Sequence, residues 1–414
     1  MSGLALIARA LGAEVTGSDR AESSYSERLR EHGIEPILGH ARANVPTGAE
    51  VVYSTAVPPE NPERGVAERD LHRADLLAQI AALRRCLAVT GTHGKTTTAA
   101  MAVHALRGAG LDPAYVVGGE LRTTGSNAGW GSGEWIVIEA DESDRSLLKL
   151  YPEIAVLTNA ELDHHATYSS LLELEATFSE FMARAGDHGV VWDRPALRAL
   201  CPEAIPYDAD HAVLDPDGSR FQWRGVDVRL TVPGAHNAVN AAGALTACEL
   251  AGADPAAAAA ALADFQGARR RLELLGRTAS GARVYDDYAH HPTEVAAAIA
   301  ATRTLARGRV VAVFQPHLFS RTRALARAFG AALAAADLIV VLPVYPARER
   351  AEDFPGVDGH LIAAAAADAP ARRPVTWMPG FAEASAYLRT ELRADDVCLM
   401  MGAGSIDSLA RSLV

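Results

Sequence analysis

The run from Val89 to Thr98 carries the strongest chemical signal of the sequence. It reads VTGTHGKTTT, follows a short apolar run and precedes a helical pattern, which is the setting of a phosphate-binding loop. Glycines let the backbone approach phosphates, and the N–H groups of the loop and of the helix N-terminus point at negative charge. We predict that Lys95 neutralises the β- and γ-phosphates of a nucleotide and that the Thr96 hydroxyl reaches Mg²⁺. The spacing is tighter than in the GxxxxGK[ST] pattern, and the alternative is a glycine-rich turn with a helix N-cap.

Polar side chains also follow the next two predicted strands. Glu139 opens the run EADESD directly after one of them, and a carboxylate at the carboxyl end of a strand beside a phosphate loop is placed to hold Mg²⁺. Asp144, at the end of that run, is interpreted instead as part of a solvated turn. The second strand leads into TNAELDHH, in which we favour His164 as a metal ligand and leave the role of His165 open.

Two later strand-to-helix junctions carry residues that suit an amino acid. Tyr285–Thr293 reads YDDYAHHPT, and Phe314–Arg323 reads FQPHLFSRTR. We expect the two loops to be neighbours on one face of a parallel sheet, where Arg would bind a carboxylate and His or Asp would meet an ammonium group or take its proton. Each loop alone would be an ordinary helix start with basic residues.

Three consecutive arginines, Arg269–Arg271, follow FQG at a predicted hinge. Such a cluster is usually surface charge. Because this one lies between a phosphate loop and an amino-acid site, we predict that at least one arginine meets the γ-phosphate as it transfers.

The elements that must position these loops alternate between strands and helices. The first 82 residues indicate a small α/β unit, with a helix at Leu4–Leu11 and a strand at Glu14–Thr16. Asp210–Val232 predicts antiparallel strands, and Asn240–Asp264 predicts a pair of helices. From about residue 267 onward, strands alternate with longer helical patterns, which favours βαβ units and a parallel sheet. The strands predicted there are Arg283–Asp286, Val310–Phe314, Leu338–Leu342 and Val397–Met401.

The composition excludes several classes of protein. A chain of 414 residues is long enough for two or three domains. Its net charge of -12 opposes general binding to nucleic acid or to an anionic membrane, and no apolar run approaches the ~20 residues that span a bilayer. The cysteines are far apart, which argues against a zinc site or a disulfide framework and for buried thiols in a reducing cytoplasm. The only lysines are Lys95 and Lys149.

The motifs together resemble those of the Mur ligase family. They occur in the family's order over almost the whole chain: GTHGKTTT, EADESD, the stretch Asn159–His164, PGAHNAVNA, FQGARRR, DDYAHHPTE, FQPHLFSRTR, VYPARE and MGAGSI. The resemblance implies an α/β protein of three domains. Residues 1–82 would form a Rossmann-like domain that binds a UDP-sugar, residues 83–267 a central phosphate-loop ATPase domain with a small antiparallel sheet, and residues 268–414 a Rossmann-like domain that binds an amino acid.

The resemblance also implies roles for individual residues. The expected ATP contacts are Gly91, Thr92, His93, Gly94, Lys95, Thr96 and Thr97 for the phosphates, His236, Asn237 and Asn240 for the base, Asp287 for the ribose, and Arg270. The expected Mg²⁺ ligands are Thr96, Glu139 and His164. The expected substrate contacts are Ser18, Asp19, Ser54 and Thr55 for the UDP-sugar, and Tyr288, His290, His317 and Arg321 for the amino acid and the acyl group. The expected catalytic residues are Lys95, His164, Arg271, His290, His317 and Arg321.

The chain departs from the family pattern in three places. It begins at Met1-Ser2-Gly3, where the family normally has a strand and a glycine-rich loop, so we expect either an N-terminally shortened first domain or a start codon assigned too far downstream. Leu318 stands where some members have Arg, so one anionic contact is expected to be missing. Several relatives hold a second metal with a modified lysine, for which neither lysine of this chain is a candidate.

The implied reaction is a two-step ligation that uses ATP and Mg²⁺. The carboxylate of UDP-N-acetylmuramate would take the γ-phosphoryl group, and the amine of L-alanine would then displace phosphate from the acyl phosphate. His317 or His290 is the expected base. The alternatives are a sister ligase that attaches a peptide to the same UDP-sugar, a ligase that adds glutamate to folate, a phosphate-loop ATPase that acts as a switch, and a dinucleotide oxidoreductase. We expect a cytoplasmic monomer or homodimer without nucleic-acid binding or membrane insertion.

Overall fold

The computed structural model describes residues 1–164 and 167–414, so His165 lies outside the described residues. These residues form two compact units. The first contains Met1–Asp208 and Asn240–Ala261, and the second contains Ala209–Val239 and Leu262–Val414. The domain boundaries near residues 82 and 267 stay a prediction.

The first 82 residues contribute two pairs of short parallel strands. β1 (Gly17–Asp19) pairs with β2 (Pro36–Leu38), and β3 (Glu50–Tyr53) pairs with β4 (Arg69–His72). The strand predicted at Glu14–Thr16 is wrong, because Gly17–Asp19 is the segment in register with Pro36–Leu38 and completes its hydrogen bonds. The helices are α1 (Ser2–Ala10), α2 (Ser24–Glu31) and α3 (Arg73–Ala81).

A seven-stranded sheet forms the core of the first unit. Its strands are β5 (Arg85–Thr90), β6 (Ala114–Leu121), β7 (Ser126–Gly129), β8 (Trp135–Glu139), β9 (Ile154–Leu157), β10 (Gly189–Trp192) and β11 (Ile205–Tyr207). They are ordered β11-β10-β9-β5-β8-β6-β7, and all neighbours are parallel except β6 and β7. Because β8 and β9 flank β5 and run parallel to it, the loops after these three strands lie at one edge of the sheet.

The helices of the first unit pack closely on this sheet and on one another. They are α4 (Lys95–Gly108), α5 (Leu171–Ala183), α6 (Pro195–Leu200), α7 (Ala235–Leu250), whose first residues to Val239 belong to the second unit, and α8 (Pro255–Ala261). A Cβ added at Gly108 would lie 2.2 Å from the Cβ of Ala261, so α4 and α8 approach closely. The small side chains of the alanine-rich helices predicted between residues 240 and 264 therefore allow these helices to pack closely against their neighbours.

The second unit contains two sheets. β12 (Val213–Asp215), β13 (Gly218–Trp223) and β14 (Val226–Leu230) form the predicted antiparallel sheet. The strands of the larger sheet are β15 (Glu273–Arg277), β16 (Arg283–Asp287), β17 (Val310–Phe314), β18 (Leu338–Val341), β19 (Val375–Trp377) and β20 (Val397–Met401). Their order is β15-β16-β20-β17-β18-β19, and all neighbours are parallel except β15 and β16.

Helices connect the strands of the larger sheet in the predicted alternation. They are α9 (Pro292–Leu305), α10 (Phe319–Leu333), α11 (Gly359–Ala367) and α12 (Phe381–Glu391), and α13 (Ile406–Ser412) follows the last strand. Short 3-10 helices lie at Arg42–Asn44, Ser146–Lys149, Gly186–His188, Leu262–Asp264 and Ala351–Asp353. Within residues 1–164 and 167–414, no helix combines the length and apolar character needed to cross a membrane.

The four cysteine side chains are buried, as the sequence predicts. Cys86, Cys201 and Cys248 belong to the first unit, and Cys398 lies in β20 of the second. Burial raises the pKa of the Cys86 thiol and that of the Cys398 thiol to about 12.

Candidate active site

The loop between β5 and α4 has room only for glycine at its two ends. Gly91 has φ 127° and Gly94 has φ 82°, in the region that side chains disfavour. A Cβ on Gly91 would lie 2.2 Å from Oγ1 of Thr158, and a Cβ on Gly94 would lie 2.7 Å from Oδ1 of Asn240. Both predicted phosphate-loop glycines therefore let other chain segments approach the loop closely.

The loop after β9 fixes the phosphate loop from the side. Oγ1 of Thr158 and Nδ2 of Asn159 donate to the carbonyl of His93 at 2.6 and 2.9 Å, and the N–H of His93 donates to Oδ1 of Asn159 at 2.9 Å. Oγ1 of Thr92 donates to the carbonyl of Glu161 at 2.8 Å. These bonds set the loop conformation in the chain itself, so that phosphate binding does not have to order it.

Lys95, the first residue of α4, is held by the loop that it follows. Its Nζ donates to the carbonyl of Gly91 at 2.6 Å and to that of Thr92 at 3.0 Å, and it lies 2.8 and 3.0 Å from the two carboxylate oxygens of Glu142. Burial opposes the charge on Lys95, but the nearby carboxylates, led by Glu142, outweigh it and raise the pKa of Lys95. The ammonium is therefore charged and can bind a phosphate group.

Thr96 and Glu139, two of the predicted Mg²⁺ ligands, are brought together. Oγ1 of Thr96 donates to Oε1 of Glu139 at 2.9 Å, and the N–H of Gly118 donates to Oε2 of Glu139 at 2.5 Å. Mg²⁺ prefers hydroxyl and carboxylate oxygens beside substrate phosphates, so this pair at the end of the phosphate loop fits that ion. His164, the third predicted ligand, lies with Nε2 3.3 Å from Oε1 of Glu142.

The other predicted phosphate contacts lie in or beside the same loop. Thr97 is buried in the first turn of α4. His93 places Nε2 3.1 Å from Oε2 of Glu161. The structure therefore gathers the loop residues predicted to bind phosphate within the first unit.

Asp144 is not the solvated turn residue that the sequence predicts. Its Oδ2 accepts from Oγ1 of Thr55 at 3.0 Å and from Nη2 of Arg73 at 3.2 Å, and Arg73 also donates to Asp141 at 2.9 Å. These contacts attach the loop after β8 to the first 82 residues. Thr55, a predicted UDP-sugar contact, also lies 3.1 Å from Nε2 of His72.

The remaining predicted UDP-sugar contacts lie at the ends of short strands. Oγ of Ser18 donates to Glu63 at 2.5 Å and lies 2.9 Å from Nδ1 of His40. Asp19 is exposed at the end of β1. Ser54 follows β3, and its carbonyl accepts from the N–H of Val57 at 2.9 Å.

The two loops predicted to form an amino-acid site meet in the second unit, although their strands are not neighbours. β20 lies between β16 and β17, so the two loops follow strands that are separated by one strand of the sheet. The rings of His290 and His317 are nevertheless 5.9 Å apart, and those of Tyr288 and His290 are 5.4 Å apart. Nη1 of Arg321 lies 3.2 Å from Nδ1 of His317.

Arg270 and Asp287 both hold the segment that precedes β15. Arg270 donates to Oδ2 of Asp286 at 3.1 Å and to the carbonyls of Gly402 and Gly404 at 2.7 and 3.2 Å. Oδ2 of Asp287 accepts from the N–H of Leu272 at 2.8 Å. Burial raises the pKa of the Asp286 carboxyl and that of Asp287 to about 6.

The residues predicted to contact the base begin α7. Nδ2 of Asn237 donates to the carbonyl of Pro233 at 2.7 Å. Burial and the charge of Arg271 lower the pKa of His236 to about 4, so its imidazole is neutral near pH 7. Asn240 belongs to the first unit, where it meets Gly94.

Several residues that contact the predicted site residues were not predicted from the sequence. Glu142 pairs with Lys95, and Oε2 of Glu294 lies 3.3 Å from Nδ1 of His290. Tyr345 stacks on His317 with ring centroids 5.8 Å apart. Tyr345 belongs to the motif VYPARE, and Glu294 is the last residue of the motif DDYAHHPTE. Both residues could therefore have been found from the sequence.

A parallel sheet with a phosphate loop after its central strand defines a nucleotide-binding α/β enzyme. Three models of Mur ligase domains match successive parts of the chain. The catalytic domain of the Mur ligase family matches residues 1–85, the Mur ligase middle domain matches residues 89–248, and the glutamate ligase domain of Mur ligases matches residues 270–404. The chain belongs to the Mur ligase family, and it is an ATP-dependent ligase.

Relatives with one common name match over the full length. The chain is 42% identical to the UDP-N-acetylmuramate–L-alanine ligase of Rubrobacter xylanophilus, with 100% of this chain and 97% of that protein covered. It is 44% identical to the ligase of the same name from Kineococcus radiotolerans, with 99% and 92% covered. The solved structure of UDP-N-acetylmuramate–alanine ligase from Thermotoga maritima matches with a TM-score of 0.85 at 25% identity and covers 100% of this chain and 95% of its own. The predicted family and fold class are confirmed.

Proposed function

We propose that this chain joins L-alanine to the carboxylate of UDP-N-acetylmuramate with cleavage of ATP to ADP and phosphate, a step of peptidoglycan precursor synthesis in the cytoplasm. The observation that carries this proposal is the phosphate loop, in which Lys95 is charged and held beside the Thr96–Glu139 pair. The name shared by full-length relatives supports the choice of substrates.

In the first step, the muramoyl carboxylate attacks the γ-phosphate, and an acyl phosphate and ADP form. Lys95 and the N–H groups at the start of α4 bind the β- and γ-phosphates and stabilise the charge on the transferring group. Thr96, Glu139 and His164 would hold Mg²⁺, which supplies further neutralisation of phosphate charge. Arg271 is the proposed arginine for the γ-phosphate.

In the second step, the amine of L-alanine attacks the acyl carbon and phosphate leaves, which requires loss of a proton from the ammonium. Nδ1 of His290 lies 2.9 Å from the carbonyl of Tyr288, which can only accept, so Nδ1 carries the proton and Nε2 the lone pair. Nδ1 of His317 faces Arg321, which can only donate, so His317 carries its proton on Nε2. We therefore assign His290 as the base and His317 as a hydrogen-bond donor to substrate.

Coupled ADP release by the 414-residue chain tests the function. The assay contains ATP, Mg²⁺ and UDP-N-acetylmuramate, and compares L-alanine with no amino acid and with the peptide that a sister ligase would attach. We expect release only with L-alanine. Release without any amino acid would instead identify a switch ATPase, and release with the peptide alone would identify the sister activity.

A further inference from the structure

A fully buried carboxylate lies between two residues of the proposed nucleotide site. Glu142 is 0% exposed, and its two oxygens lie 2.8 and 3.0 Å from Nζ of Lys95. Its Oε1 also lies 3.3 Å from Nε2 of His164. One side chain thus contacts both the proposed phosphate ligand and a proposed metal ligand.

We infer that Glu142 is a positioning residue shared by Lys95 and His164, which fixes the ammonium and the imidazole relative to each other. The inference rests on the proposed function of those two residues. It adds a carboxylate that needs to contact neither nucleotide nor metal, because it acts through the side chains that do.

The contact with His164 selects one imidazole nitrogen for the metal. A carboxylate can only accept, so its approach to Nε2 favours the proton on Nε2 and leaves the lone pair on Nδ1. Metal-binding histidines commonly donate their second ring N–H to a carboxylate in this way, which fixes the ring orientation. The backbone of His164 supports the arrangement, because its left-handed φ of 55° is stabilised by Oδ1 of Asp163, which accepts from its N–H at 2.7 Å.

The contact with Lys95 fixes an ammonium that has few other positions. Two loop carbonyls accept from Nζ of Lys95, and the carboxylate of Glu142 lies 2.8 Å from the same atom. Glu142 is itself anchored at its backbone, since the hydroxyl of the buried Tyr168 donates to its carbonyl at 2.7 Å. An unpaired buried ammonium would be destabilising, so Glu142 keeps this charge in place without bound nucleotide.

The alternative is that Glu142 only neutralises the charge of Lys95 and has no influence on metal binding. The two roles differ in one measurable quantity, the factor by which Mg²⁺ strengthens ADP binding to the full chain. Titration calorimetry with ADP, once with Mg²⁺ and once with EDTA, gives this factor. The variants are Glu142→Gln, His164→Ala, the double variant, and Glu153→Gln as a matched control on an exposed carboxylate that pairs with Arg85.

We expect Glu142→Gln to lower the Mg²⁺ factor about 10-fold, the size of effect common for carboxylates behind metal ligands. The double variant should lose no more than His164→Ala, because both changes act through the same imidazole. Glu153→Gln should leave the factor unchanged. An unaltered factor in Glu142→Gln, or losses that multiply in the double variant, would overturn the inference.

The Lys95 contact is tested by thermal unfolding. Glu142→Gln should lower the unfolding midpoint of the otherwise unchanged chain but not that of Lys95→Met, where no buried ammonium remains to be paired. Equal shifts in both backgrounds would refute the shared role. If Glu142→Gln does not fold, the Mg²⁺ factor is compared between Lys95→Met and Lys95→Met/Glu142→Gln. A different result, in which Lys95→Met and His164→Ala leave ADP binding and its Mg²⁺ factor unaltered, would refute the proposed nucleotide site itself.

Discussion

At the scale of single residues, the chemistry depends on which nitrogen of a histidine carries a proton. His290 and His317 have neighbouring rings and are both partly buried, yet their Nδ1 atoms face opposite kinds of partner, a carbonyl in one case and a guanidinium in the other. Oε2 of Glu294, 3.3 Å from Nδ1 of His290, would stabilise the imidazolium that forms when His290 takes a proton. Nδ1 of His317 instead lies beside the positive charge of Arg321, which would oppose protonation of that nitrogen.

The two histidines should therefore respond differently to the same substitution. His290→Gln should lower kcat by about 100-fold, the usual loss for a missing general base. His317→Gln should mainly raise KM for L-alanine, by about tenfold, because it removes one hydrogen bond to substrate. Steady-state ADP formation at varied L-alanine concentration measures both, with the exposed His360→Gln as control. A larger loss of kcat in His317→Gln than in His290→Gln would reverse the assignment.

At the scale of elements, the phosphate loop is a junction that two other segments approach. Thr158 and Asn159 of the loop after β9 and Asn240 of α7 occupy the space beside Gly91 and Gly94. These two segments therefore help to set the shape of the loop. Glycine is required there because φ is positive and because the neighbouring segments leave no space for a Cβ.

Substitution of glycine by alanine separates these two requirements. Gly91→Ala adds a Cβ only 2.2 Å from Thr158 at φ 127°, whereas Gly110→Ala meets nothing within 4 Å at φ 81°. Both changes should destabilise the fold by about 1–2 kcal/mol through backbone strain. Only Gly91→Ala should also weaken ADP binding, by at least about tenfold, because Thr158 and Asn159 must shift away from the loop. Equal ADP affinity in the two variants would show that the crowding is unimportant.

The elements also show how much of the fold and of the site could be predicted from the sequence. The phosphate loop and the strands around it were predictable, since glycine spacing and buried apolar runs are local signals. The position of β20 was not, because the last strand of the chain inserts between β16 and β17 through a pairing distant in sequence. Likewise, EADESD presents four acids of similar character, and only the approach of Lys95 on α4 shows that Glu142 is the buried one.

At the scale of the whole molecule, stability responds to pH in two opposing ways. Burial opposes the charge of Asp337 and of Asp396, but arginine partners outweigh it and lower both pKa values, so these groups lose stabilisation as pH falls. Asp286 and Asp287 behave oppositely, because burial raises their pKa values to about 6. Their contribution is complete below the unfolded value of 3.8 and is lost as pH rises through about 6.

Asp286→Asn should therefore gain stability relative to the unchanged chain as pH rises. The asparagine does not ionise, so its free energy of unfolding is not lowered by ionisation of a buried carboxyl as pH rises. Between pH 4 and pH 7.5, the free energy of unfolding of the variant should therefore increase relative to that of the unchanged chain by about 1–3 kcal/mol, the order expected for the raised pKa of Asp286. Urea unfolding at the two pH values measures this difference, and the exposed Asp187→Asn is the control. A difference that stays constant, or that moves against the variant, would contradict the raised pKa of Asp286.

The distribution of cysteines makes the two units distinguishable to a chemical probe. A buried thiol with a raised pKa reacts only when the surrounding structure opens, since a reagent needs both access and the thiolate. Cys86, Cys201 and Cys248 would record opening of the first unit, and Cys398 that of the second. The natural cysteines can thus report on unfolding without any substitution. The order in which the thiols become labelled would give the order in which the two units unfold.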